Sequence, residues 1–254
     1  MTKMTINADC SDLQLARFLA QGAGGILLDI AANSGLSGKI LGKAGDKQAN
    51  DWILSILHQH RPQDAILSEE SSDDKSRLGH SRCWIIDPLD GTREYSEGRD
   101  DWAVHIALSI DNQPNIGAVS LPARDQLFDS QINPYRGQVA TDAKTVKLAV
   151  SRTRNVPCAD KLQTALNAEM LPMGSAGVKA MAVVQGMADC YVHEGGQYEW
   201  DNCAPIAIAA AAGLHCSRID GSALIYNQDN VFIPDLLICR PELSVEILLI
   251  LNDK

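Results

Sequence analysis

Three signals are missing from this chain, and each absence removes a class of function. No apolar run approaches the ~20 residues needed to span a bilayer. The most hydrophobic helical candidate, residues 13–32, is interrupted by Arg17, Gln21 and Asp29. Basic residues are not in excess: 22 Lys and Arg stand against 32 Asp and Glu, and a net charge of -10 argues against a general binder of nucleic-acid polymer. No C-x-x-C pair occurs among the seven cysteines, so Cys10, Cys83, Cys158, Cys190, Cys203, Cys216 and Cys239 read as free, mostly buried thiols. Internal repeats and low-complexity tracts are absent as well, and residues 1–10 lack the basic start and apolar block of a secretory signal. The expectation is a cytoplasmic protein with no membrane or nucleic-acid partner, acting as a monomer or a homodimer.

What is present begins with an ordinary globular composition, 45% hydrophobic and 21% charged over 254 residues, enough for one large domain or two packed lobes. Ser11-Asp12-Leu13-Gln14 is a capping box, and Leu13, Ala16, Ala20, Ala23 and Leu27 then recur at helical spacing. Gly22, Gly24 and Gly25 within that helix imply close packing, because they cost propensity. The glycine-rich, lysine-bearing residues 35–46 read as a loop, followed by a second helix over residues 49–60 that ends at Arg61-Pro62. Strands are expected at 65–68 and 83–86, and a hairpin at 101–110 and 116–121 around Asp111-Asn112-Gln113-Pro114.

The polar residues 133–144 are the expected boundary between an N-terminal lobe, 1–140, and a C-terminal lobe, 141–254. Beyond it, strands at 146–151, 189–192, 214–219 and 236–239 mix with helices at 158–168, from Val178, from Asp201 and near 241–251. Strands and helices in both halves point to a layered α/β or α+β architecture.

The most informative stretch is Trp84-Ile85-Ile86-Asp87-Pro88-Leu89-Asp90-Gly91-Thr92-Arg93-Glu94-Tyr95. An apolar strand ends in two carboxylates, then a glycine, a threonine and a helix start, which gathers carboxylates and free backbone N–H groups at one point. Hard divalent cations suit the carboxylates and the Leu89 carbonyl; phosphate oxygens suit the Gly91 and Thr92 N–H groups. The bland alternative is a simple turn with Asx capping. Glu69-Glu70 follows the strand at 65–68 and is either a second contribution to that site or a solvated acidic loop. Asp201 precedes an Ala/Ile helix and reads as its N-cap, a role compatible with a second oxygen offered to a metal. Thr92 is placed to hold a water with its hydroxyl, and the set fits two-metal hydrolysis of a phosphate ester.

These blocks, Ser68-Glu69-Glu70-Ser71, Trp84 through Thr92, and Trp200-Asp201 with Ala204-Pro205 and Ala212-Gly213, resemble the inositol monophosphatase-like superfamily of Mg²⁺-dependent, lithium-sensitive phosphatases. The continuation Arg93-Glu94-Tyr95, the segment Gly98-Arg99-Asp100-Asp101-Trp102-Ala103-Val104-His105-Ile106-Ala107-Leu108, and Gly174-Ser175-Ala176-Gly177-Val178-Lys179 resemble its 3′(2′),5′-bisphosphate nucleotidase branch. The resemblance implies an αβαβα sandwich with the metals between two lobes. It implies a first Mg²⁺ on Glu69, Asp87 and the Leu89 carbonyl, a second on Asp87, Asp90 and Asp201, and a weaker third near Glu69. It further implies Mn²⁺ as a substitute, and Ca²⁺ and Li⁺ as inhibitors. Thr92 with Glu69 would orient the attacking water, and Gly91 and Thr92 would bind the scissile phosphate.

One departure stands out: Gln48 occupies the place of an expected threonine, leaving Asp46 or Asp51 as the acidic candidates in that stretch. By the same resemblance the substrate is a small phosphorylated nucleotide, 3′-phosphoadenosine 5′-phosphate, cleaved to AMP and phosphate, with the sulfated analogue as a second substrate. Lys43, Lys47, Arg93 and Lys179 are candidates for its non-reacting phosphate, with Ser175 beside Lys179; a solvated surface lysine is the alternative for Lys179. His193, Tyr198 and Trp200 could wall the adenine, while Tyr95 is expected to pack and Met173, Met181 and Met187 to fill the core. His58 and His60 lie two apart, share no helix face and are not expected to bind metal. The competing functions are an inositol-phosphate or fructose-1,6-bisphosphate phosphatase, and a non-catalytic Mg²⁺- or Ca²⁺-binding regulatory module.

Overall fold

The computed structural model describes residues 6–131 and 145–253. Two five-stranded sheets organise it. The first has the order β1-β2-β3-β4-β5, from β1 (Ala65–Ser68), β2 (Arg82–Asp90), β3 (Ala103–Ile110), β4 (Gln113–Leu121) and β5 (Gln126–Asp129). The second has the order β7-β6-β8-β10-β9, from β6 (Lys147–Ser151), β7 (Glu169–Met173), β8 (Cys190–Tyr198), β9 (His215–Ser217) and β10 (Phe232–Cys239). The expected lobe boundary at 133–144 lies outside the described residues.

The layers follow from alternation along the strands. On β2, Trp84, Ile86 and Leu89 face α1 (Asp12–Asn33) and α2 (Gly38–His60), whereas Cys83 and Ile85 face α5 (Ala176–Val184) and α6 (Glu199–Ala211). Because both faces of the sheet are covered, the strand reads as an unbroken apolar run rather than an alternating one. The middle cluster of α5 and α6 also takes in Tyr191, Leu236 and Ile238 of the second sheet. The far face of that sheet is covered by α4 (Pro157–Leu166) and α7 (Ser244–Asn252). The result is the expected αβαβα sandwich.

Local signals account for many element bounds. Ser11 caps α1 through a reciprocal capping box with Gln14. This helix is long and apolar enough to cross a membrane by length and composition, but 56% of that window is buried inside the protein, against α2 and the first sheet. Gly22 lets the Trp52 ring approach and Gly24 lets Pro122 approach, while nothing lies within 4 Å of a Cβ at Gly25. The β3–β4 hairpin turns on Asp111 and Asn112, both with positive φ (49° and 64°), and β4 starts at Gln113, earlier than the pattern predicted.

The expected loop at residues 35–46 is overturned: α2 already begins at Gly38. Its glycines Gly42 and Gly45 serve close approach instead of chain reversal. A Cβ at Gly42 would meet Ser96 and Thr92 side chains at 2.7 and 2.8 Å, and one at Gly45 would meet Leu27 and Tyr95. Tyr95 packs as expected, donating its hydroxyl hydrogen to the Leu27 carbonyl at 2.8 Å. The seven cysteines are free, and all but the half-buried Cys216 are buried. Met181 is buried and Met173 packs against the core, but Met187 is exposed and fills nothing.

Candidate active site

The acidic residues arrive from the carboxyl ends of two parallel strands. β1 and β2 run parallel, with Ser68 opposite Ile86, so Glu69 and Asp87 leave the sheet side by side, and the Glu69 N–H donates to the Ile86 carbonyl. In a regular strand Asp87 and Asp90 would face opposite sides. They do not, because β2 carries a bulge: Asp87 pairs with His105 and Asp90 with Ala103, so three steps on β2 match two on β3. The extra residue turns both carboxylates into the layer between the sheets. Pro88 lies within the bulge, where a missing N–H is tolerated.

Asp201 comes from the other sheet's side. It is the third residue of α6, not its N-cap as the sequence implied; Tyr198 holds that position, and its N–H donates to Asp201 Oδ2 at 2.6 Å. Carboxylate oxygens of Asp87, Asp90 and Asp201 all lie within 4.8 Å of one another. Burial, then the charges of Glu69, Asp90 and Asp201, push the Asp87 carboxyl well above its usual range. Burial and the nearby Asp90 raise Asp201 to about 6. Glu69 is exposed at the rim and stands outside that three-carboxylate group, yet desolvation and then the charge of Asp201 push its carboxyl up to about 7. Asp46, buried on α2, is raised to about 8 by burial and then by Glu70 and Glu69, so it faces the same acidic rim. Asp51 does not: it is exposed and paired with Lys47 at 2.7 Å.

Asp90 behaves differently. Burial alone would raise it, but His105, Lys179 and Ser175 outweigh that and hold it below the usual carboxylate range. The Ser175 hydroxyl and the Gly177 N–H (2.8 Å) both donate to Asp90 Oδ2. Asp87 has the Leu89 N–H at 3.0 Å. Converging, mutually repelling carboxylates of this kind are a donor set that a hard divalent cation would relax.

Beyond Asp90 the chain turns at Gly91, whose φ of 91° no L side chain adopts easily, into α3 (Thr92–Ser96). The Thr92 hydroxyl donates to the Leu89 carbonyl at 3.1 Å, next to the acidic group. Gly91, Thr92 and Asp201 line a cleft together with Arg93, Ser175, Lys179 and His193.

Lys179 is not a solvated lysine. It is buried, its ammonium donates to the Gly174 and Ser175 carbonyls and lies 5.4 Å over the Tyr191 ring, and burial lowers its pKa to about 8. Lys43 flanks a neighbouring surface groove shared with Thr92 and Arg93, and Lys47 is engaged by Asp51. Of the aromatic candidates, His193 lines the cleft and its Nε2 is 2.7 Å from the Gly195 carbonyl, whereas Tyr198 and Trp200 stack on each other at 5.0 Å.

Sequence reasoning missed Arg154. It lines the cleft just past the end of β6 and donates to the Gly196 carbonyl at 2.9 Å. The available signal was topological: β6 and β7 run parallel, and ligands gather beyond the carboxyl ends of parallel strands.

With this geometry in hand, comparison with known proteins is decisive for the family. The inositol monophosphatase family model matches residues 14–243. The chain belongs to the inositol monophosphatase family. That family is one of metal-dependent phosphatases. A Mycobacterium bovis protein named 3′-phosphoadenosine 5′-phosphate phosphatase is 48% identical over 236 residues, covering 87% of this chain and 86% of the relative. A Mycobacterium leprae protein of the same name is 45% identical over 254 residues, covering 95% and 94%. Among solved structures, CysQ from Bacteroides thetaiotaomicron superposes with a TM-score of 0.80 at 25% identity, covering 90% of this chain and 97% of that one.

Proposed function

We propose that this protein is a Mg²⁺-dependent phosphatase that removes the 3′-phosphate of 3′-phosphoadenosine 5′-phosphate, leaving AMP. The observation that carries the reading is the convergence of Asp87, Asp90 and Asp201 within 4.8 Å, in a cleft that also presents Lys179 and Arg154. Relatives named for this activity at 45% and 48% identity support the choice of substrate.

Glu69, Asp87 and the Leu89 carbonyl would hold one cation, and Asp87, Asp90 and Asp201 a second, with Asp46 at the edge of the same acidic group. Such cations make a water nucleophilic at neutral pH and neutralise charge on the phosphoryl and leaving oxygens. The chain's own groups do the rest. Thr92 donates its hydroxyl hydrogen to Leu89, so its lone pairs remain free to accept from the attacking water and fix its direction. Glu69, which follows the parallel neighbour of β2, would accept the proton that this water gives up as it attacks, the other staying on the oxygen transferred to phosphate. Gly91 and Thr92, which line the cleft, would bind the scissile phosphate through their N–H groups. Ser175 holds Asp90 through its hydroxyl while lining the cleft. Arg93, Lys179 and Arg154 offer positive charge to the 5′-phosphate, and the sulfated analogue has a group of the same sign there. The all-thiol cysteine set accords with a cytoplasmic setting.

The test is release of inorganic phosphate from 3′-phosphoadenosine 5′-phosphate with Mg²⁺ and with EDTA. One phosphate per AMP in Mg²⁺ and none in EDTA is expected; release that ignores EDTA, or no release in either, sinks the reading.

A further inference from the structure

His105 has no part in the reading above, yet it touches both halves of the acidic group. It is buried completely, at 0% exposure, on β3 directly opposite Asp87. Its Nδ1 lies 3.2 Å from the Trp200 carbonyl, the residue before Asp201, and its Nε2 lies 3.2 Å from Asp90 Oδ2. The imidazole thus spans the gap between a ligand on the first sheet and the first turn of α6. Room for the ring exists because residue 177 is glycine: a Cβ there would sit 2.2 Å from His105 Nε2. The Nε2 contact is bent away from hydrogen-bond geometry, which leaves a buried polar nitrogen without a completed bond. Asp90 is its only close acceptor among the described contacts.

Both neighbours of the ring, a carbonyl and a carboxylate, are acceptors. A rigid planar ring wedged between the two would fix the spacing of Asp90 from Asp201, and a cation site needs its ligands held to about 0.5 Å. Asp90 Oδ2 is already shared by Ser175, Gly177 and His105, so Oδ1 is the oxygen left to turn toward a cation.

We propose that His105 is a positioning residue that registers Asp90 against the Asp201-bearing turn of α6, and so sets how tightly the site grips its divalent cation. This rests on the cation-site reading above, and the experiment separates the two. Mg²⁺ binding to the unaltered protein, to His105→Leu and to His105→Gln is measured by titration calorimetry, alongside Tm in EDTA and the Mg²⁺ dependence of turnover. His105→Leu is expected to weaken Mg²⁺ binding about 10–100-fold, the usual cost of losing a group that orients a ligand. His105→Gln, which keeps one donor, recovers part of it. KM for the nucleotide at saturating Mg²⁺ should move far less, because the ring is completely buried and does not line the cleft.

A folded His105→Leu protein with lower Tm but unchanged Mg²⁺ affinity overturns the proposal and leaves the cation site standing. No Mg²⁺ binding by the unaltered protein removes the cation-site reading and this inference together. Should His105→Leu fail to fold, the unaltered protein still decides: the His105 ring ¹⁵N signals are expected to shift as Mg²⁺ saturates the site, and signals that stay in place overturn the proposal.

Discussion

The two walls of the cleft are built on different principles. The acidic wall is rigid by construction: Asp87 and Asp90 are 1% and 7% exposed on a bulged central strand, and Asp201 is pinned in the first turn of a helix. The basic wall is uneven. Lys179 is buried and fastened to two carbonyls, but Arg93 and Arg154 are exposed at the rim, and Arg154 is held by a single carbonyl. The contrast teaches where chemistry and selectivity reside. Ligands of a reaction centre must keep their spacing, so they sit on strand ends with both faces covered; cations that select an anion tolerate movement and sit on helices and loops.

Removing one acid from the first wall breaks the comparison hardest. Asp90→Asn is expected to lower kcat/KM for the nucleotide by at least about 100-fold, since losing even an outer partner of a metal ligand costs 10–100-fold. Steady-state kinetics with a Mg²⁺ titration checks it, and near-normal turnover would remove Asp90 from the centre. On the second wall, Arg154→Gln should act mainly through KM, raising it about 3- to 10-fold for 3′-phosphoadenosine 5′-phosphate, as a partly exposed charge contact allows. A matching loss with inositol 1-phosphate, which lacks a second anion, would show that Arg154 has no selective role.

The smallest effect concerns the joint between the walls. Asp101 accepts from the Gly174 N–H at 2.7 Å and from Arg152 and Arg99, fastening the start of α5 beside Asp90. Burial alone would raise its pKa, but Arg152, Gly174 and Arg99 together lower it. A carboxyl depressed in the folded state stabilises above its unfolded pKa of about 3.9, and that contribution fades as pH falls through the folded value. Asp101→Asn should therefore lower Tm at pH 7 and flatten the loss of Tm as pH falls below about 4. An unchanged acid slope in thermal scans would show that Asp101 does not fasten the joint.

The acidic wall was largely legible in the sequence and the basic wall was not, for the same physical reason. Asp87, Asp90, Gly91 and Thr92 lie within six residues of chain, where residue type and order nearly dictate geometry, and Glu69 follows a strand whose bounds match the expectation of 65–68. The bulge that aligns the two aspartates is less visible, since only pairing with β3 reveals the extra residue. Arg154 and Lys179 reach the cleft from separate elements, and no local pattern distinguishes them from the chain's other cations. Lys179 was identifiable through its resemblance and not through its own surroundings.

Residues 35–46 misled for another reason. Two lysines and four glycines read as a breaker, whereas Gly42 and Gly45 are there so that Thr92, Ser96, Leu27 and Tyr95 can press against the helix. Tertiary contact overrode propensity. His105 escaped notice because a single polar residue in an apolar strand carries no pattern until its neighbours are known.

The most direct test of the account is the ratio of kcat/KM for 3′-phosphoadenosine 5′-phosphate to that for inositol 1-phosphate, on the unaltered protein at one fixed Mg²⁺ concentration. A second anion meeting at least one charged donor should be worth about 1.5 kcal/mol or more, so the ratio should exceed roughly 10. A ratio at or below one would contradict the account, leaving an acidic wall that hydrolyses phosphate esters beside a basic wall that does not choose among them.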